Sequence, residues 1–407
     1  MISEKAKKYN LMKIAFISSS NYNGGADLSA NKFFNALKHK ELKKFFFVRF
    51  KESTNSKVVQ VGNLYINKLR SLLFLPLKKI IGEKDYSLNL LYSNFFNKKQ
   101  ICYFDIFNFN WLGSETISLN EIKKIRKPIV FTLHDQWLFY GGEHYFNYLG
   151  KKRNFVFNLI NKNLKKKKKF IFNNKNIYFI CPSQWIANTF KQYKTLDKNN
   201  IKIIPYPVNK KIFKPLPQSI FRKKFKINSD KKIGLFMTAS HLHDPRKGFD
   251  LLQKSLNYLD DKDFEILIVG SKKNNISINQ KYFFFENKKS KFNVSRIINC
   301  SDFLLFPSKA DNLPNIVLES LACHKPVVAY KIGGIKEVVK HKYNGYLAKP
   351  FDKKDFSNGI NYVLKNYKKL SKNISKDISF KKYIDENRIQ KEYFNFFKKI
   401  IKNYSDH

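Results

Sequence analysis

The chain has 407 residues, 43% of them hydrophobic. That is too long for one ordinary domain and apolar enough for real cores, so two domains of roughly 200 residues each are the natural division. Lys and Arg number 78 against 31 Asp and Glu, a net charge of +47. Such a charge favours polyanions, an anionic membrane leaflet ahead of nucleic acid. No nucleic-acid partner is expected, because no helix-turn-helix, zinc-finger or RNP-type signature stands beside the charge. Most of the Lys is read as compositional bias, in a chain rich in Asn, Ile, Phe and Tyr and poor in Gly and Pro. Cys102, Cys181, Cys300 and Cys323 have no metal-ligand spacing and lie in or beside apolar segments. Buried free thiols in a reducing compartment follow. There is no signal peptide, and no apolar run approaches the roughly 18–20 residues that span a bilayer. The reading is a cytoplasmic protein, with attachment to the inner face of the membrane as a secondary use of its charge.

In chain order, residues 1–11 read as a leader. Lys13 to Ser18 is a buried strand, followed by a loop ending in Gly24-Gly25 and a helix from about Asp27 to Lys38. Strand, Gly-containing loop and helix open a doubly wound sheet. A second strand runs from Phe45 to Phe50, and 51–100 is irregular, with a helical patch from Leu64 to Ile81. Cys102 to Phe107 reads as a strand, Asn120 to Arg126 as a short helix. Pro128 to Leu133 is a strand running directly into His134-Asp135. Lys165 to Lys169 reads as a solvated face. A strand at Tyr178 to Cys181 precedes Ser183, an N-cap for a helix from Gln184. The domain boundary is placed within 205–230.

The second half repeats the alternation. Strands are predicted at Lys232 to Ala239, Phe264 to Gly270, Tyr282 to Phe285, Phe303 to Phe306 and Val327 to Tyr330. Helices are predicted at Phe249 to Leu259, Ser295 to Asn299, Pro314 to Cys323 and Gly334 to Lys340. The last two, about Lys353 to Tyr367 and Ile384 to Tyr404, follow a short strand at Tyr346 to Ala348. The βαβα order predicts parallel sheets with a ligand at their carboxyl edges.

Phe303 to Gly334 carries the clearest chemistry. Asp311 and Glu319 bracket a helix start at Pro314, which is placed as the first helical residue because its missing N–H costs nothing there. Two carboxylates around a helix N-terminus suit a ligand with hydroxyls and phosphates. The stretch Asp311…Glu319, Pro326-Val327-Val328-Ala329 and Gly333-Gly334 resembles the donor-binding segment of retaining family 4 nucleotide-sugar glycosyltransferases. It departs from them in having Asp for the commoner first Glu and His324-Lys325 before the PVVA run. Phe131 to Tyr145 resembles a segment of one subgroup of the same enzymes, and Ser240 to Asp250 resembles their basic loop. In that loop Lys247-Gly248 matches a Lys-Gly pair, and Arg246 stands adjacent where relatives often place Arg earlier, at the position of His241.

The resemblance implies a GT-B fold: α/β, two Rossmann-like doubly wound domains facing across a cleft. It divides the chain into an acceptor-binding domain (1–210), a nucleotide-sugar-binding domain (211–383) and a final helix (384–407) crossing back to the first. It implies a metal-independent, hexosyltransferase-like enzyme with no cofactor. Sugar would pass from a nucleotide-sugar donor to a glycan or lipid-linked acceptor with retention, in polysaccharide or lipopolysaccharide synthesis. By the same resemblance His134 and Asp311 would face the sugar and be catalytic. Glu319 would hold the ribose, Arg246 and Lys247 the diphosphate. The backbone of Asn312 and Leu313 would lie near phosphate or sugar, and Gly24-Gly25 would close over the diphosphate. No metal ligands are assigned. Two other readings remain: a non-catalytic basic binding protein on the same scaffold, and an inverting enzyme using Asp135 or Glu143 as base.

Overall fold

The computed structural model describes residues 11–22, 24–82, 86–146, 150, 152–192, 197–239, 241–259, 264–271, 276–286 and 294–405. The expected leader, apart from Leu11, lies outside these residues, as do Ser240 and part of the loop after Gln136.

The N-terminal half builds a sheet from β1 (Met12–Ser20), β2 (Leu42–Phe50), β3 (Val58–Gln60), β4 (Ile106–Phe109), β5 (Ile129–Thr132), β6 (Ile177–Cys181) and β7 (Ile201–Ile203), in the order β3-β2-β1-β4-β5-β6-β7. Every pairing is parallel. β1 is buried along almost its whole length, as a near-continuous apolar run covered on both faces should be. The connections hold α1 (Gly24–Ala36), α2 (Leu64–Leu72), α3 (Leu75–Ile81), α4 (Lys98–Tyr103), α5 (Leu119–Lys124), α6 (Phe155–Asn173) and α7 (Gln184–Asn188). The region read as irregular thus contains a third strand, and the helical patch expected from Leu64 to Ile81 is two helices, α2 and α3.

The second sheet holds β8 (Lys232–Met237), β9 (Phe264–Gly270), β10 (Tyr282–Glu286), β11 (Phe303–Phe306), β12 (Val327–Tyr330) and β13 (Gly345–Ala348), in the order β10-β9-β8-β11-β12-β13, again all parallel. Its helices are α8 (Gln218–Lys224), α9 (Phe249–Leu256), α10 (Val294–Cys300), α11 (Asn315–Ala322), α12 (Lys353–Lys376), α13 (Ile378–Tyr383) and α14 (Glu386–Ser405). Two Rossmann-like sheets of this kind are the expected fold class.

Several local expectations fail. Cys102 to Phe107 is not a strand: Asn97 and Gln100 form a reciprocal capping box that starts α4, and β4 begins only at Ile106. That turn leaves Cys102 exposed, while the other three thiols are buried. Gly334 to Lys340 forms only a single turn, Ile335–Glu337. The Lys165 to Lys169 run is not uniformly solvated, since Lys168 is buried at 1% exposure.

α14 lays an aromatic face on the first sheet's layer. Phe397 meets Phe16 edge-on at 6.3 Å, Tyr393 lies 4.5 Å from Phe33, and Phe394 stacks on His39 at 3.7 Å. Such pairs add to plain area burial. In both sheets the strand order reverses beside the first strand, at β1/β4 and at β8/β11. The loops leaving those strands' carboxyl ends are where a crevice opens.

Candidate functional site

The loop after β8 lies against the loop after β11. Gly248 makes this possible. It sits at φ 71°, and a Cβ there would come within 2.0 Å of the Pro307 carbonyl oxygen. Lys309 N–H and Ser308 Oγ donate to the Arg246 carbonyl at 2.8 and 3.0 Å, tying the two loops together. Lys247 Nζ then reaches Asp311 Oδ2 at 3.0 Å, and Arg246 Nη1 reaches the same oxygen at 3.4 Å. Burial, with Arg246 adding to it, lowers the Lys247 pKa, while Asp311 opposes the shift. Below this pair lies the glycine loop. Gly333 is at φ 50°, and a Cβ there would come within 1.8 Å of the Asp311 carbonyl oxygen. Gly334 N–H donates to the Asn312 carbonyl at 2.7 Å.

Pro314 is the N-cap of α11, not its first residue, with ψ 127°. The N–H groups of Val317 and Leu318 turn back to its carbonyl, at 3.1 and 3.4 Å. The side chain of Asn315 instead reaches the first domain, donating to Ser29 Oγ at 2.6 Å and the Gly25 carbonyl at 3.3 Å. Glu319, buried one turn on, takes Lys32 Nζ at 2.5 Å. Gly24 begins α1 at φ 88°, and both it and Gly25 have open space where a Cβ would stand. Behind them the buried Asp27 accepts from Ser18 Oγ at 2.6 Å and Ser20 N–H at 3.2 Å. Burial pushes its pKa well up.

His134 leaves β5 at the carboxyl edge and is buried. Its Nδ1 lies 2.7 Å from the Tyr206 hydroxyl and its Nε2 3.2 Å from Asn110 Oδ1. The Asn110 amide nitrogen is committed to Asn108, so Oδ1 is an acceptor and Nε2 carries the proton. Burial lowers the His134 pKa to about 4, against the pull of Asp135. The imidazole is therefore neutral and can act on a sugar as a dipole rather than as a cation. Burial alone would raise the Asp135 carboxyl. His144 at 2.6 Å and the Trp137 N–H at 2.9 Å outweigh it and hold the pKa below the usual carboxylate range.

Asn312 joins the two domains. Its Nδ2 donates to the Leu133 and His134 carbonyls at 3.0 and 3.3 Å, and its Oδ1 accepts from Ser183 Oγ at 2.5 Å. Tyr145 lies beside it, and burial pushes that phenol's pKa well up, with Asp311 adding to the shift. Arg246 lies over the Tyr145 ring at 5.3 Å. The Leu313 side chain is buried in the core, leaving only its backbone to a ligand.

The structure thus brings Arg246, Lys247, Asp311, Asn312 and His134 into one contact chain across the cleft. A second contact places Glu319 beside Gly25 through Lys32 and Asn315. Sequence reasoning missed Lys32, Asn315, Tyr145 and Tyr206. Of these Asn315 and Tyr145 lay within quoted motif segments. The two carboxylates considered as bases are both engaged: Asp135 by His144, and Glu143 by Arg153 and Asn161.

Residues 217–379 match the family model described as glycosyl transferases group 1. An uncharacterized glycosyltransferase of Methanocaldococcus jannaschii is 28% identical over 194 residues, 46% of this chain and 49% of that protein. The N,N'-diacetylbacillosaminyl-diphospho-undecaprenol alpha-1,3-N-acetylgalactosaminyltransferase of Campylobacter jejuni is 30% identical over 221 residues, 51% of this chain and 57% of that protein. The chain thus spans about half the length of the curated relatives it matches. Among solved structures, HepE from Anabaena in complex with UDP-glucose is 18% identical, with a TM-score of 0.65 over 97% of this chain and 100% of that one. WaaG, a glycosyltransferase involved in lipopolysaccharide biosynthesis, is 14% identical, with a TM-score of 0.60 over 93% of this chain and 98% of that one. These likenesses show the GT-B fold.

Proposed function

We propose, from the group 1 glycosyl transferase match of residues 217–379 and the contacts across the cleft, that this chain is a glycosyltransferase. It moves a sugar from a nucleotide-sugar donor to a glycan or lipid-linked acceptor, with retention, in cell-envelope polysaccharide or lipopolysaccharide synthesis. The lipid-linked acceptor is carried over from the name of the Campylobacter relative. One observation carries the reading. Asn312 bonds the carbonyls of Leu133 and His134 while its neighbour Asp311 holds Lys247 and Arg246. Cations suited to a diphosphate therefore stand on a loop that is tied to the backbone of the strand end carrying His134.

In this reading Lys247 and Arg246 turn from Asp311 to the diphosphate and stabilise the charge that grows on it as the sugar C1–O bond breaks. Asp311, released, accepts from sugar hydroxyls, and Glu319 exchanges Lys32 for the ribose hydroxyls. The acceptor oxygen bonds to C1 on the face the diphosphate leaves, and its proton passes to the departing phosphate oxygen. Retention is favoured because Asp135 and Glu143, the carboxylates an inverting enzyme would use, are held by His144 and by Arg153 with Asn161. Lys247 and Arg246 supply positive charge at the diphosphate, so the step needs no metal ion in this account.

The test is a panel of nucleotide-sugars assayed for thermal stabilisation and slow hydrolysis, followed by NMR of the released anomer. One sugar donor should stabilise the protein and yield a product of unchanged configuration. No response from any donor would refute the assignment, and an inverted product would refute retention.

A further inference from the structure

α2 is built inside out. Asn67 and Arg70 face the protein: the Asn67 amide donates to the Arg49 and Val61 carbonyls at 2.9 Å, and the Arg70 guanidinium donates to the Tyr92 and Leu91 carbonyls at 2.7 and 2.8 Å, while Lys68 is exposed. Its apolar residues face outward. Tyr65 is 80% exposed, Ile66 and Leu69 59%, Leu72 53% and Leu73 56%, and Ile80 of α3 is 59% exposed. A helix on the surface of a globular protein normally does the reverse. The inner side of α3 is well seated. Phe74, Leu77 and Ile81 pack with Phe157, Ile160 and Leu164 of α6, and Asn154 Nδ2 donates to the Ile80 carbonyl at 2.9 Å. The outer face continues onto α6, where Phe155 is 79% and Leu159 49% exposed. Four- and three-residue steps from these two place Lys162, Lys166 and Lys169, all exposed, on the same side. Residues 64–81 and 155–173 contain ten Lys or Arg and no Asp or Glu.

We infer that α2, α3 and the outer face of α6 form a docking surface for an anionic lipid bilayer. Leu, Ile, Tyr and Phe side chains enter the interface, and the lysines meet the headgroups. Charge decides between possible occupants. A second copy would set this all-basic rim against itself, whereas an anionic leaflet complements it. The inference stands on the surface alone and does not require glycosyl transfer. It does give the surface a use. α6 grips the loop that leads from His134: Lys168 Nζ donates to the Trp137, Tyr140 and Gly141 carbonyls at 2.5, 2.9 and 2.6 Å, and Asn161 Oδ1 accepts from Gly142 N–H at 2.9 Å. A bilayer held on α6 therefore lies next to the loop that would receive a lipid-linked acceptor.

The experiment is co-sedimentation of the full chain with phosphatidylcholine vesicles, with and without about 30 mol% phosphatidylglycerol, over a salt series. Binding should need the anionic lipid and weaken with salt. The triple variant Leu69→Ser, Leu72→Ser, Leu73→Ser should bind at least ~10-fold more weakly, with its Tm and donor binding unchanged. The triple variant Lys162→Gln, Lys166→Gln, Lys169→Gln should lose much of the salt dependence. Tyr258→Ser and Ile378→Ser, at exposed apolar residues elsewhere, should change nothing. Equal binding to neutral vesicles, or unchanged binding of the serine variant, overturns the proposal. So does a concentration-dependent dimer that the serine variant abolishes while vesicles go unbound.

Discussion

The C-terminal wall of the cleft is made of charges held by tight backbone, and the N-terminal wall of a neutral imidazole and a carboxylate each fixed by side chains. On the first, Gly248 and Gly333 let loops touch at backbone level, and Lys247 and Arg246 then face Asp311, with Arg246 also against the Ala310 carbonyl and the Tyr145 ring. On the second, His134 is fixed by Tyr206 and Asn110, and Asp135 by His144, Trp137 and Trp111. The charged wall can rearrange, because Asp311 can trade its cations for ligand groups. The N-terminal wall is preformed and desolvated. Substitutions on the first should therefore read out in chemistry and donor binding, and on the second in stability and its pH dependence.

Lys247→Met should give the largest effect. It removes a preorganised cation from the leaving diphosphate, and kcat/KM should fall by about 10²–10³-fold. The Tm should stay close to wild type, because Arg246 still faces Asp311. A loss under about tenfold would mean that this wall does not face the diphosphate.

On the opposite wall, His134 sets a pH window. Below its ordinary 6.5 the unfolded chain binds a proton that folded His134 refuses until about 4. Its contribution is complete above that window and is lost as the pH falls through it, on the order of 3 kcal/mol in total. Thermal melts between pH 7 and 4.5 should show this fall, and His134→Gln should flatten it. An unchanged slope in the variant would show that His134 is not held neutral.

How much of this was legible follows the same division. Most strands and the glycine loops could be read because buried parallel strands are continuous apolar runs and tight loops need glycine; the three-residue edge strand β3 is too short to show such a run. Arg246, Lys247 and Asp311 could be picked out because each stands at a strand–helix junction. The partners that hold His134 could not. Tyr206 lies 72 residues away in the linker, and no local pattern marks a tyrosine for a distant imidazole. Cys102 to Phe107 was misread because apolar content outweighed Asn97 and Gln100, whose spacing already spelled a capping box. In the lysine run, Lys168 stands four residues after the buried Leu164, on the inner stripe of α6, where its charge meets the loop carbonyls.

That residue provides the third test. Lys168→Met would leave the Trp137, Tyr140 and Gly141 carbonyls without their donor in a buried setting. A cost of about 2 kcal/mol follows, seen as a lowered midpoint in denaturant. Lys166→Met, on the exposed side of the same helix, should cost nothing measurable. Equal effects would show that the preformed wall does not depend on this lysine.

The smallest effect belongs to Glu319, and its size tests how the two walls communicate. A carboxylate accepting from ribose hydroxyls would alone be worth roughly 10–100-fold in donor affinity. In this structure Glu319 already accepts from Lys32, which also donates to Asn315 Oδ1 at 2.9 Å. Donor binding must exchange one partner for the other, so Glu319→Ala should weaken the donor by only about tenfold in calorimetry, at the low end of that range. Lys32→Met should move affinity the other way, by a few-fold, because Glu319 is then unopposed. In the double variant the gain from Lys32→Met should vanish, since it acts only through Glu319. If the two substitutions were additive, Lys32 would be acting on the donor directly, and the ribose would not share a site with this ion pair.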